Sequence, residues 1–254
     1  MSAPPLLEIA AGSLASALAA QDGGADRVEL CENLGEGGCT PSCGTIAVAR
    51  ERLRIPLYVL IRPRGGDFLY DGFEREAMLR DVEACVRLGC DGVVIGALDA
   101  DGEVDLPTCR ELVAAAGPLG VTFHRALDAA RDPARALEAA IALGCERVLT
   151  SGGRATAPDG AETIAALVRQ AAGRIRIMAG AGIDAGNAAE LRRRSGAHEF
   201  HASARALRPS PMRHRVALPG LAPERMQTER ERVAALRAAL AQDGGGGTPA
   251  SGTS

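Results

Sequence analysis

The stretch EREAMLRDVEACVRLGCDGVVIGAL, residues 74–98, decides the architecture. Its first part sets Met78, Leu79, Val82, Val86 and Leu88 at helical spacing, an apolar stripe on an otherwise charged segment. Gly89 then ends the helix, because glycine accepts the left-handed backbone of a C-terminal cap. The apolar run GVVIGAL (92–98) starts within a few residues and reads as a strand.

Outward from this stretch the same unit recurs along the chain. The strand candidates are LLEIA (6–10), RVELC (27–31), PLYVLIR (56–62), GVVIGAL (92–98), GVTFHRA (120–126), RVLTSG (147–152), RIRIMAG (174–180) and EFHASA (199–204). Alanine- and leucine-rich helical stretches separate them, and Gly144 and Gly196 end two of these as Gly89 does. Strands alternating with helices, without an antiparallel hairpin signal, imply an all-parallel sheet. Eight such units close into a (β/α)₈ TIM-type barrel. The competing open sheet would carry a Gly-x-Gly-x-x-Gly turn after its first strand, and none is present. One domain over residues 1–221 is therefore expected. A helix over 222–243 should pack on the barrel or at a subunit contact, and the glycine-rich end, 244–254, reads as a disordered tail.

The 254 residues carry 29 basic and 32 acidic side chains, a net charge of −3 that argues against a nucleic-acid partner. All 29 are arginine. A Schiff-base aldolase, an imine-held pyridoxal phosphate and a P-loop all need lysine, so a lysine-linked cofactor is excluded. Seven cysteines, an odd number with no CxxC pair, read as reduced thiols of a cytoplasmic protein. The apolar N-terminus lacks a basic n-region and Glu8 interrupts it, so a signal peptide is not expected. No charge-free apolar run is long enough to span a membrane.

Chemistry in a parallel barrel sits at the C-terminal strand ends, and polar residues collect there. Glu8 and Glu29 lie in the first two strands, and a buried carboxylate needs a partner. His124 can act as a general acid or base, with Glu8, Glu29 and Asp128 beside it as the other candidate catalytic groups. The loop Arg62-Pro-Arg64-Gly-Gly-Asp67 offers guanidinium forks for a carboxylate or phosphate. Arg125, Ser151, Gly152, Gly180, Gly182, His201 and Ser203 complete the candidate anion-binding set, the glycines by letting backbone N–H groups approach an oxyanion. An internal salt-bridge layer that merely closes the barrel is the plainer reading of the same charges. Two glutamates with His124 and His201 also make a hard-to-borderline metal set, whereas copper(I) prefers sulfur. Cys31, Cys39 and Cys43 fall in and just after the second strand.

Taken together, GADRVELC (24–31), EGGCTPSCG (36–44), IRPRGGDF (61–68), VTFHRALD (121–128), RVLTSGG (147–153), IMAGAGI (177–183), EFHASA (199–204) and SPMR (210–213) resemble the CutC family over nearly all of residues 7–213. The resemblance implies a cytosolic barrel, usually a homo-oligomer, linked to copper homeostasis and proposed to bind copper(I). The family cysteine at the end of strand two corresponds to Cys31, the metal ligand this implies, while Cys39 and Cys43 lie outside the family pattern. The expected function is thus copper homeostasis with copper(I) binding. The alternative is an enzyme acting by acid–base chemistry on a small phosphorylated or carboxylated carbonyl compound. The partner is accordingly a copper ion or a small anionic ligand, and a non-catalytic scaffold is the third reading.

Overall fold

The computed structural model describes residues 5–214, 216, 218, 221 and 223–241. Eight strands are formed: β1 Leu6–Ala11, β2 Arg27–Leu30, β3 Leu57–Leu60, β4 Gly92–Ile95, β5 Gly120–Phe123, β6 Arg147–Thr150, β7 Arg176–Gly180 and β8 Glu199–Ala202. They pair in parallel in sequence order, and β8 returns to β1 to close the barrel. Each apolar run of the sequence is therefore a strand, trimmed at its ends except in β1, which extends to Ala11.

Helices α1 (Leu14–Asp22), α2 (Cys43–Arg52), α3 (Gly72–Arg87) and α4 (Leu106–Ala116) follow the first four strands. The short α5 (Ala126–Ala129) with α6 (Pro133–Ala142), then α7 (Ala161–Ala171) and α8 (Ala188–Ser195), follow the next three. Helix α3 realises the stripe: Met78 and Val82 are buried, Asp71 and Glu74 form a capping box, and Gly89 turns the chain at φ +70°. The main core lies between strands and helices, where outward residues such as Leu7, Ile9, Val28 and Val59 meet the helical stripes. The opposite parity, beginning Glu8, Arg27 and Tyr58, points inward by strand alternation.

Two expectations fail after β8. Ala204 adopts a left-handed φ of 46° and turns the chain out of the barrel into an antiparallel pair, β9 (Arg205–Arg208) with β10 (Arg225–Thr228). A hairpin-like pairing thus exists where none was expected. The final helix, α9, consequently begins at Arg230, several residues later than the sequence implied, and runs to Ala241. Strand pairing and the bonds from Thr228 N–H to Ser16 Oγ and from Thr228 Oγ1 to the Ser203 carbonyl outweigh helical propensity in that segment. Helix α9 packs against α1 and α8, in the place of the eighth barrel helix, and Arg237 ties it to Asp26 at 2.7 and 2.8 Å. The tail at 244–254 lies outside the described residues.

Candidate functional site

Most barrels fill their interior with branched apolar side chains. Here the lower interior is charged. Arg27 pairs with Glu8 and, at 2.9 Å, with Glu199. Arg147 meets the same Glu199 oxygen at 3.0 Å and donates to Thr122 Oγ1 at 3.1 Å. Both guanidinium groups also pack against the Tyr58 ring, each 5.0 Å from its centroid. Gly92 and Gly120 make room for that ring, since a Cβ on either would sit 2.1 Å from a Tyr58 atom. Every charge in this layer has a partner, which is what burial demands.

The layer supports a second tier. Glu8 Oε1 lies 2.7 Å from His201 Nδ1, so the Arg27–Glu8 pair orients the imidazole. Across the barrel wall, His201 Nε2 faces Glu29 Oε2 at 3.8 Å, too far for a hydrogen bond. Burial pushes the Glu8 carboxyl up, but Arg27 and His201 outweigh it and hold the group near 2. Burial raises Glu29 to about 7, opposed by the charge on His201 and assisted by that on Glu8. His201 is raised: burial opposes protonation, and the two carboxylates overcome it. Neighbouring carboxylates thus lie far apart in acidity, the usual mark of an acid–base pair.

Above this tier a cavity of about 660 Å³ opens at the C-terminal strand ends. Of the residues the sequence marked, Glu29, Arg62, His124, Arg125, Asp128, Gly182, His201 and Ser203 line it. Glu8 lies just beneath, behind His201. Within the wall, His124 is buried and held neutral, its pKa lowered to about 3 by burial and by the charge on Arg62. The ring is therefore neutral at ordinary pH. Arg62 is no free fork: its Nη atoms donate to the carbonyls of Glu36, Gly38 and Gly66 at 2.9, 2.8 and 2.7 Å.

Other marked residues serve the framework. Arg64 and Asp67 pair with each other at 3.0 Å on the surface, outside the cavity lining, and Arg64 also binds Glu74 at 2.5 Å. The amides after β6 are taken by Asp128, which accepts from Ser151 N–H at 2.9 Å, Gly153 N–H at 3.0 Å and Thr150 Oγ1 at 2.5 Å. Arg125 completes this clasp through Asp128 at 2.8 Å, and Gly152 N–H donates to Thr150 Oγ1. The expected anion cradle at Ser151 and Gly152 is thus filled by the protein's own carboxylate. Gly180 is packed under Leu149 and His201. Cys31 is fully buried beside Ala10, Leu60 and Val94, and burial and then Glu29 push its thiol well above the usual range. Among the described residues, the ligand-rich triplet is Glu8, Glu29 and His201, with one donor atom each within 4.8 Å of the others, and it contains no thiol.

Sequence reasoning missed Arg27, Tyr58, Arg147 and Glu199. Parity was the available signal, since Arg27 shares a face with Glu29, and Glu199 with His201. It also missed Arg154 and Arg205, which line the cavity and make no side-chain hydrogen bond or ion pair with a described residue.

Comparison with known proteins agrees with the motifs. The CutC family profile matches residues 5–206. A CutC family protein of Xylella fastidiosa (strain 9a5c) is 70% identical over 207 residues, covering 82% of this chain and 78% of that one. One from Chromobacterium violaceum is 56% identical over 241 residues, covering 92% and 98%. The crystal structure of CutC from Streptococcus agalactiae superposes with a TM-score of 0.75 at 33% identity, covering 78% of this chain and 98% of that one. A thiamine phosphate pyrophosphorylase from Pyrococcus furiosus, at TM-score 0.58 and 16% identity, shares the fold alone. With its motifs, its barrel and most of its length matched, the chain belongs to the CutC family.

Proposed function

We propose that the barrel mouth is the active site of an enzyme that moves a proton on a small anionic carbonyl compound. Glu29 acts as the base, His201 is its oriented neighbour, and Arg154 and Arg205 attract the anionic end of the substrate. The observation that carries the reading is Glu29 itself: a buried carboxyl raised to about 7, lining a cavity and facing an oriented histidine. A structural salt-bridge layer explains Arg27, Glu8, Glu199 and Arg147. It gives no reason for a carboxyl at the cavity wall that lacks a hydrogen-bonded cation.

The test uses the protein in ²H₂O with a panel of phosphorylated and carboxylated aldehydes and ketones, followed by loss of the α-proton signal in ¹H NMR. Exchange of at least one compound is expected, falling about 100-fold or more in Glu29→Gln. A panel without exchange would sink the reading.

Copper(I) binding, the finer role that accompanies the family, draws here on a single buried thiol. Copper(I) favours thiolate and thioether ligands, and the Glu8–Glu29–His201 group offers oxygen and nitrogen, with Glu8 already paired to Arg27. The donor set does not fit a resident copper(I). Copper(I) affinity measured against a chromogenic chelator should therefore be unchanged in Cys31→Ser. Loss of one equivalent in that variant would favour the copper role instead.

A further inference from the structure

Of the nine large apolar side chains exposed among the described residues, six lie between residues 207 and 226. They are Leu207, Met212, Val216, Leu218, Leu221 and Met226, in the β9–β10 ribbon and its connection. Single exposed apolar residues need no explanation, but a concentration of them marks an interaction surface. The same stretch is basic: residues 205–228 carry five arginines against one acidic residue, Glu224, in a chain whose net charge is −3. The register of the ribbon sharpens both features. Leu207 stands opposite Met226, and Arg208 opposite Arg225 on the next rung, where the strands end and the connection begins. The apolar rung is uncovered, its two side chains 63% and 49% exposed. The basic rung is uncompensated, since like charges directly opposite one another destabilise a strand pair. Glu229 lies 3.4 Å from Arg208 but also pairs with Arg232. Arg225 has only the side-chain oxygen of Gln227, at 3.5 Å, and Arg213 is exposed, with no ion pair to a described residue.

We infer that the tip of the β9–β10 ribbon docks on the surface of an anionic lipid bilayer. Its arginines meet the headgroup phosphates, and its aliphatic side chains enter the boundary layer beneath. Apolar area together with basic charge is what interfacial binding requires. The contact is peripheral, for no described helix is long and apolar enough to cross a bilayer. A second copy of the chain fits the ribbon less well, because a two-fold contact sets a patch against itself and would oppose arginine to arginine. A nucleic acid also fits less well, since residues 205–228 contain no aromatic side chain on which a base could stack. The ribbon lies in the connection from β8 to α9, which leaves the barrel at the end where the cavity opens. Arg205, at the base of the ribbon, lines that cavity. Docking therefore holds the cavity mouth beside the membrane, and it does so independently of the chemistry assigned to Glu29.

Flotation of the full-length protein with lipid vesicles is the test. Vesicles of phosphatidylcholine containing about one-third phosphatidylglycerol should carry the protein, and vesicles of phosphatidylcholine alone should not. Binding should weaken as salt is raised, because exposed charges are screened. Affinity should fall roughly 25-fold in Arg208→Gln/Arg225→Gln, about fivefold per arginine. It should fall as well in Leu207→Ser/Met226→Ser, which keeps every charge. All four side chains are exposed, so each variant should retain the wild-type circular dichroism. No binding to the anionic vesicles, or equal binding in the arginine variant, overturns the inference. Dimerisation in sedimentation velocity that disappears in Leu207→Ser/Met226→Ser, without vesicle binding by the wild-type protein, overturns it in favour of a second copy.

Discussion

Glu29 is exceptional among the buried charges because its neighbours do not settle it. Glu8, equally buried, is held as a carboxylate by Arg27, whereas Glu29 has His201 at 3.8 Å and lies against a cavity. A base must be ionised to act. If Glu29 is that base, kcat/KM for α-proton exchange should rise as pH increases through about 7 and level off above it. A profile flat from pH 5 to 9 would remove Glu29 from the role. His124, held near 3, adds no limb in that range. At this scale the sequence identified the residue types at the strand ends but not their engagements. Arg62 and Asp128 look like free tools in a one-dimensional string. In the fold, backbone groups from residues distant in sequence occupy most of their hydrogen-bonding capacity.

Strands β3, β4 and β5 show why a polar interior is tolerated. Tyr58 fits inside the barrel only because Gly92, its register partner, and Gly120, the partner of Gly92, have no side chains. In Gly120→Ala the new methyl would strike Tyr58 Oη and the Glu146 carboxylate, at 2.1 and 2.5 Å. Overpacking of this kind costs about 1–3 kcal/mol, or a fall in Tm of roughly 2–4 °C per kcal/mol in a chain of this size. Thermal melting should show that fall, and adding Tyr58→Phe should recover part of it by removing the hydroxyl. A Gly120→Ala protein as stable as wild type would mean the ring does not fill that space. All eight strands were legible because helical stripes and short apolar runs are local patterns. The β9–β10 pair was not, because its partners are separated in sequence by the proline-containing segment 209–221, and nothing local announces the pairing. The charged layer was half legible: the glutamates stood out, but the arginines opening β2 and β6 resembled ordinary surface residues at strand starts.

Across the whole molecule, two arginines and two glutamates in the lower barrel balance one another, and Glu29 is the charge left over apart from His201. The unfolded chain ionises this carboxyl near 4.5, the folded chain near 7. Below about 4.5 both states hold the proton and stability does not depend on this group. As pH rises from there to 7, the unfolded chain releases its proton while the folded chain retains it, so stability is progressively lost. Above 7 the folded protein bears the full cost of a buried carboxylate, on the order of 1–3 kcal/mol. Glu29→Gln removes that cost, because an amide never ionises. The variant should melt several degrees above wild type at pH 8 and close to it at pH 5, while α-proton exchange is lost. Identical melting differences at the two pH values would mean that Glu29 does not carry a raised pKa. The case for a base at the barrel mouth would then lack its physical support.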